Sequence, residues 1–575
     1  MLILAMKEWF KKYWLVISIG LLAFLPFSVT LFDPFVSDDW DFLYSARHDG
    51  FSISQILTTN NEGNYEGGSY RPMVPIFWRG LYRIFQLHPL GYHTMTIGFH
   101  IANTLLLFFL IKKISKKLGN STRIAAIASI VFAISPSRGE IAWVSVVNDT
   151  LVVLYILFTF YTFFMSLEAQ TKIKRYSFFV LSLIFTFCAF LTKEVALIIP
   201  PTIFVLTFVF GWFRDKKFVL RFLYSAGIAF VYGCIVVVFF ALRYRMIGFL
   251  FADYTGDIVL TSYHVIRAVV SYTFGFFVSG QIRTDISYFF IRHFELFIIL
   301  LAALIGVFLY SIRRTKVLLP LVLVLLLFGC SLVPIIRFGV NVTPHYISEE
   351  GQRYLYLPSI FLSFFIALLL SSWFERYTKK IRTYFLVCAV LCGLLLYVQL
   401  FVQTSHFHHA ALVADNLLHV ARNIIEKGDY DGYVVVGLPD QYRGAPIFRN
   451  AFDQALSLLL RDETLPFTRL IVSRNRTLYD PENSEFLVSR VNENTFTYTQ
   501  LHNLPFISSA ESFVSHDYTT YLHNYQKQSY ALSVFDVGTS LSFIVSDEFV
   551  SSNKQIGNSI AYLFFSQGRW KVVGL

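Results

Sequence analysis

Apolar residues come along this chain in long blocks separated by short polar connections, from the N-terminus to about residue 402. A bilayer core of roughly 30 Å takes about 20 apolar residues per spanning helix. Eleven blocks meet or approach that length: 13–32, 91–111, 121–135, 142–166, 176–192, 195–213, 219–241, 294–312, 317–337, 355–373 and 383–402. The third is short, and only "TKE" parts the fifth from the sixth. The stretch 258–280, with His264 and Arg267, reads as an interfacial or re-entrant helix. The basic "MKEWFKK" ahead of the first block is what a secretory leader would have. That block is long for one, however, and lacks a small-x-small cleavage site, so it predicts a retained helix.

The connections alternate in charge. "KKISKK", "KIKR", "RDKK", "RRTK" and "ERYTKKIR" follow the second, fourth, sixth, eighth and tenth blocks, and the connections between them are acidic or mixed. The positive-inside rule puts the basic set and the N-terminus in the cytoplasm, and every other connection outside. After residue 404 the pattern changes: "DGYVVVGLPD", "TRLIVSR", "FLVSRV", "LSFIVSD" and "GRWKVVGL" predict strands, and 406–427 and 447–461 predict helices. The reading is a polytopic α-helical membrane protein, with a multi-pass domain over 1–404 and an extracytoplasmic α/β domain over 405–575 large enough for its own core. No tandem repeat or low-complexity segment stands out. A plasma-membrane location is expected.

Composition supports this. Of the 575 residues 55% are hydrophobic and 15% charged, and the mean hydropathy is +0.56, outside the soluble globular range. The net charge of +11 sits in short runs between apolar blocks, a mark of topology and not of nucleic-acid binding. All five cysteines fall in apolar runs without metal-type spacing.

The polar residues of the predicted outer face are unusual. "FVSDDWDFLYSARHDG" brings Asp38, Asp39 and Asp41 together where the first span ends. One reading is a helix N-terminus, where acids suit the dipole; the other is a functional site, since ionisable groups at a membrane boundary are costly. The same face holds Tyr70 and Arg71 in "GGSYRPM", and His93, His100 and Asn103 in "GYHTMTIGFHIAN". It also holds Arg138, Glu140, Asn148 and Asp149 in "SPSRGEIAWVSVVND", Lys193 and Glu194 in "LTKE", and Glu349, Glu350, Arg353, Tyr354 and Tyr356 in "EEGQRYLYLP". Carboxylates and cations gathered from five loops suit attack by a hydroxyl on a sugar whose leaving group is a lipid-borne phosphate. A carboxylate takes the hydroxyl proton, and cations neutralise the departing phosphate.

These residues carry a resemblance over about 10–400. "SYRPMVPIFWRGLYRIFQLHPLGYHTMTIGFHIANTLLLFFL", "SPSRGEIAWVSVVNDTLVVLYILF", "FLTKE" and "RYLYLPS" stand in the order found in GT-C glycosyltransferases that resemble the protein O-mannosyltransferases and the transmembrane tetratricopeptide-repeat mannosyltransferases. The resemblance implies an inverting transfer from a polyprenyl-phosphate-linked sugar on the outer side. It implies a catalytic acidic pair at Asp38 and Asp39, with Asp38 the expected general base and a one-residue ambiguity between them. Glu140 takes the place of the second-loop acid, which in relatives positions substrate or a metal, and Arg71, Lys193 and Arg353 those of cations for the carrier phosphate. Tyr70, His93, Asn148, Asp149, Glu194 and Tyr356 are further candidates. No cofactor is certain, and a divalent metal is left open. The repeats of the eukaryotic relatives are missing, so protein O-mannosylation does not transfer; the tail is similar instead to outer domains of bacterial GT-C membrane proteins. The acceptor, whether protein, lipid or glycan, is unassigned.

Blander readings stand beside these. His93 and His100, seven apart on one helical face, read as hydrogen-bonded bundle histidines. Arg71 suits a headgroup-snorkelling cation, and Lys193 and Glu194 suit interface charges of a tight turn. Asn148 and Asp149 fall within an otherwise apolar helix, where a carboxylate is by default functional or facing a cavity, so for them the functional reading outweighs structural chance. The loop 242–293, with Arg243, Arg245, Asp253 and Asp257, reads as an interfacial cover over the site. "NST" at 120–122 lies on the predicted cytoplasmic side and is discounted as a glycosylation acceptor. The competing function is a transporter or flippase of a lipid-linked or anionic substrate, although such proteins place ionisable residues at the bilayer midplane in repeated halves. A membrane anchor for the tail domain would not need so many helices.

Overall fold

The computed structural model describes residues 2–48, 70–118, 120–210, 217–248, 262–312, 318–338, 351–376, 378–427, 441–448 and 451–461, together with the strands named below. Asp253, Asp257, Glu349 and Glu350 lie outside the described residues. The chain divides into two compact units. The first takes in Met1–Phe32, Asp49–Val342 and Gly351–Ser405; the second includes Asp33–His48 and the chain from His406 onward.

The first unit is a helical bundle. Among the described residues eight helices are long and apolar enough to cross a membrane, or up to ten if each bent pair is one span. The difference from eleven blocks has local causes. Block 121–135 becomes Ser121–Ile134, bent by 58° into the turn Pro136–Ala142. Block 294–312 is joined at 101° to the helix before it. Block 195–213 gives only a short apolar helix, Glu194–Val209. The final block does not stop at 402, because one helix runs from Lys379 to Glu426 and absorbs the separate helix expected over 406–427. The expected interfacial segment forms the helices Ser262–Gly275 and Gly280–Arg292. Its Ala268 and Tyr272 are buried in a cluster with Ile335 and Leu355.

Close packing at one corner depends on a glycine. The amphipathic helix Met73–Phe85 ends at Gln86, which adopts a left-handed φ of 49°, and Pro89–Ile114 begins three residues later. A Cβ on Gly91 would come closer to the Phe85 ring than contact allows. Gly91→Ala is therefore expected to force that ring off its contact with Tyr92, at about 1–3 kcal/mol. The check is a lower thermal unfolding midpoint of the detergent-solubilised protein.

In the second unit the sheet order is β11-β10-β1-β4, formed by Arg569–Gly574, Ile560–Ser566, Gly432–Pro439 and Leu470–Asn475. β1 pairs parallel to both β10 and β4, and β11 closes one edge antiparallel. A second sheet is wholly antiparallel, β5-β6-β9-β8-β7, over Phe486–Arg490, Thr495–Gln500, Ser540–Val545, Leu532–Val537 and Tyr518–Thr520. A small ribbon, β2 and β3, pairs Gln441–Tyr442 with Ala445–Pro446, turning through left-handed Arg443 and Gly444. The buried helix expected over 447–461 is Phe452–Leu460.

Candidate active site

The centre of the site in the first unit is the turn after helix Lys172–Thr192. That helix packs antiparallel to Val147–Glu168 through the Phe158–Phe185 stack at 5.1 Å and the Thr159–Thr186 hydroxyl pair. This brings the C-terminus of one helix beside the N-terminus of the other. Asp149, expected inside the second of these helices, is instead in its first turn, because the chain passes through short 3-10 turns until Val146. An acid at a helix start and a cation at a helix end both oppose the local dipole. Lys193 Nζ meets Asp149 Oδ1 at 2.5 Å. Asn148 accepts from the Trp78 indole at 3.3 Å.

The adjacent Glu194 turns to different partners. Arg71 donates to its Oε2 through Nη2 at 2.8 Å and Nε at 3.1 Å. Arg243 Nη1 donates to its Oε1 at 2.7 Å. One carboxylate thus links two guanidiniums from elements far apart in the chain. Burial raises the Glu194 pKa, but Arg71 and Arg243 outweigh it and bring the carboxyl down to about 2. Lys193 is shifted below its usual value by burial, with Arg71 and Arg353 adding to the fall and Asp149 opposing it.

The turn that carries Arg353 completes the arrangement. Its backbone N–H donates to Glu140 Oε2 at 2.7 Å, so Glu140 holds the turn in place. The Arg353 guanidinium lies over the Trp143 ring at 4.9 Å, and Lys193 Nζ stands 5.2 Å from the centre of the Tyr354 ring. Behind it, the buried Tyr356 hydroxyl meets His100 Nδ1 at 3.0 Å and accepts from Asn103 Nδ2 at 3.1 Å. Arg138, fully buried, sits over Tyr356 at 4.6 Å and donates to the Phe132 carbonyl and the Ser359 hydroxyl. His100 is thus a hydrogen-bonded bundle histidine. Tyr70 is buried against Phe239 at 6.2 Å, and His93 is buried in the Pro89–Ile114 helix.

No protein-family model matches the chain, and no curated protein matches it. Among solved structures the chain is similar to ArnT from Cupriavidus metallidurans. Against the apo state of that protein the TM-score is 0.43 with 12% identity, covering 82% of this chain and 86% of that one. Against its state bound to undecaprenyl phosphate the TM-score is 0.42, again with 12% identity, covering 79% and 85%.

The structure therefore gathers Arg71, Asn148, Asp149, Lys193, Glu194, Glu140, Arg353 and Tyr356 in the first unit. Asp38 and Asp39 belong to the second unit, in the first turn of helix Asp38–His48. Asp39 is 1% exposed, and its Oδ2 accepts the Val36 amide at 3.1 Å, while Asp38 is half-buried. The expected helix N-terminus is present there, with Asp41 in the same first turn. Sequence reasoning did not include Arg243 among the site residues, because it ended that span at 241 and left Arg243 to a loop. The helix continues to Ile247. The missed signal was a repeat of seven: Ser225, Tyr232 and Phe239 form one buried face that Arg243 extends by one turn. Among the described residues no group of three or more His, Cys, Asp or Glu is placed to hold a metal ion.

Proposed function

We propose that this protein is an inverting glycosyltransferase that moves a sugar from a polyprenyl-phosphate donor to an acceptor hydroxyl on the extracytoplasmic side of the plasma membrane. The supporting observation is the cluster of Arg71, Lys193, Arg243 and Arg353 at the ends of apolar helices. Helix Ile199–Phe210 starts just past the Lys193–Glu194 turn, and its Thr202, Val205, Leu206 and Val209 line a small apolar cavity of about 40 Å³ with helices around Leu107, Leu327 and Phe364. A lipid chain on a phosphate at the cluster would lie along the apolar helices of the bundle.

Each group has a role in that reaction. The Lys193 ammonium and the guanidiniums bind the carrier phosphate and take up the charge that grows on it as the glycosidic bond breaks. Glu140 fixes the turn that presents Arg353. Asp38, with Asp39 beside it in sequence, is the base that accepts the proton of the attacking hydroxyl. The transporter alternative is less well supported, since Asp149 and Lys193 sit at helix ends and not at broken midpoints. The ArnT likeness, at its TM-score, adds no weight either way.

The test is release of undecaprenyl phosphate from a panel of undecaprenyl-phosphate sugars by the purified protein. Lys193→Met is expected to lower kcat/KM for the preferred donor roughly 10²-fold, the usual order for loss of one preorganised charge donor. Lys193→Arg should restore part of it. Because Lys193→Met also strips Asp149 of its partner, the double variant with Asp149→Asn should fold like the parent and remain impaired. Wild-type turnover in both would refute the phosphate-binding assignment.

A further inference from the structure

The segment that carries the proposed base is built into the second unit at several points along its length. Asp33 is 4% exposed, and its Oδ1 meets His408 Nδ1 at 2.6 Å. The Ser37 amide donates to the Ile447 carbonyl at 2.9 Å, one residue past the Gln441–Pro446 ribbon. Arg47 Nη1 donates to the Leu458 carbonyl at 3.4 Å. Helix Asp38–His48 packs on helix Phe452–Leu460. Ile447, Phe448 and Phe452 are fully buried beneath it.

The conformation of Ser37 makes these contacts consequential. Its φ is 44°, a left-handed value that a non-glycine residue adopts at a cost of about 1 kcal/mol. Ser37 directly precedes Asp38, so this turn sets where the helix starts and where the first-turn carboxylates emerge. Its amide hydrogen bond to Ile447, with Ser37 itself fully buried, keeps the turn in that form.

We infer that His408 and the Gln441–Phe448 segment position the proposed catalytic acids, so that the second unit holds the segment of the base in its working form. His408 is a positioning residue: it holds Asp33 at one end of the segment, while Ile447 holds Ser37 four residues later. Burial raises the Asp33 pKa and the His408 contact opposes that rise. Losing the imidazole removes a contact that favours the charged carboxylate and that ties this end of the segment to the Lys379–Glu426 helix. The inference rests on the assignment of the base to Asp38 or Asp39.

The test uses the full-length protein and the undecaprenyl-phosphate sugar it turns over best. His408→Ala is expected to lower kcat at least tenfold with donor KM within twofold of the parent, and to speed amide hydrogen exchange over residues 33–48. His408→Asn puts an amide nitrogen where Nδ1 stood and should recover most of the loss. Ser37→Pro, which removes the amide donor and cannot adopt the left-handed φ, should reproduce the His408→Ala phenotype, whereas Ser37→Gly should keep activity. Retained turnover in Asp38→Asn and Asp39→Asn would defeat the base assignment itself. Loss of turnover there, combined with parental kcat and parental exchange in His408→Ala and Ser37→Pro, would overturn the positioning inference alone.

Discussion

Asp38→Asn is expected to reduce sugar transfer by roughly 10²–10⁴-fold, the contribution of a general base in the transition state, while the protein is still made and inserted. The substitution keeps the shape of the side chain and removes its ability to take a proton. Asp39→Asn should behave differently. Its Oδ2 already accepts the Val36 amide and its side chain is buried, so it is committed to the helix start. Its loss should appear chiefly in stability, at about 1 kcal/mol for a capping interaction, with a smaller fall in kcat. Measuring expression, unfolding midpoint and turnover on the same preparations separates the two acids. Full activity in Asp38→Asn with loss in Asp39→Asn would exchange their roles, and full activity in both would remove the general base from this segment.

Glu194→Gln is expected to be the most damaging change within the bundle. Arg71 and Arg243 both donate to that carboxylate, at 2.8 and 2.7 Å, and neutralising it weakens both contacts while the two like charges stay close. Breaking a buried ion pair costs about 3–5 kcal/mol; the partial exposure of Arg71 and Glu194, at 21% and 24%, brings this nearer 2–3 kcal/mol by screening. The pH dependence gives an independent sign. The folded-state pKa of about 2 lies below the ordinary value of 4.5. A lowered carboxyl pKa contributes stability that is complete above 4.5 and is lost as pH falls toward 2. The unfolding midpoints of the parent and Glu194→Gln should therefore differ by a constant amount from pH 7 down to about pH 5, and converge below pH 4.5. A gap that persists unchanged at pH 3 would contradict the two-arginine account.

The helical character of the bundle was legible from block length alone, and so was the identity of most charged groups in the site. Their pairing was not. Lys193 and Glu194 are neighbours in sequence, yet one pairs with Asp149 and the other with Arg71 and Arg243, and only the packing of four helices decides this. The breaks were equally hard to see. Pro136 bends one block, and nothing in the run to 402 announces that the same helix goes on to Glu426. In the tail, five strands rich in Val, Leu and Ile stood out, whereas Thr495–Gln500 is mostly threonine and tyrosine and reads as polar. Which acids share a unit with which cations was beyond periodicity altogether, since Asp33–His48 is adjacent in sequence to a bundle helix but belongs to the unit formed by the chain's end.

The parallel pairing of β1 with β10, register Gly432 to Ile560, has a consequence for biogenesis. A central strand emerges early in synthesis of this domain and waits, with one rim open, until the chain as far as Ile560 has been made. Contacts of such large sequence separation form slowly, and an open rim invites pairing with a stranger. Chains stalled or clipped before Ile560 should therefore be prime substrates for chaperones and proteases, and quality control of this domain would act on the wait for β10.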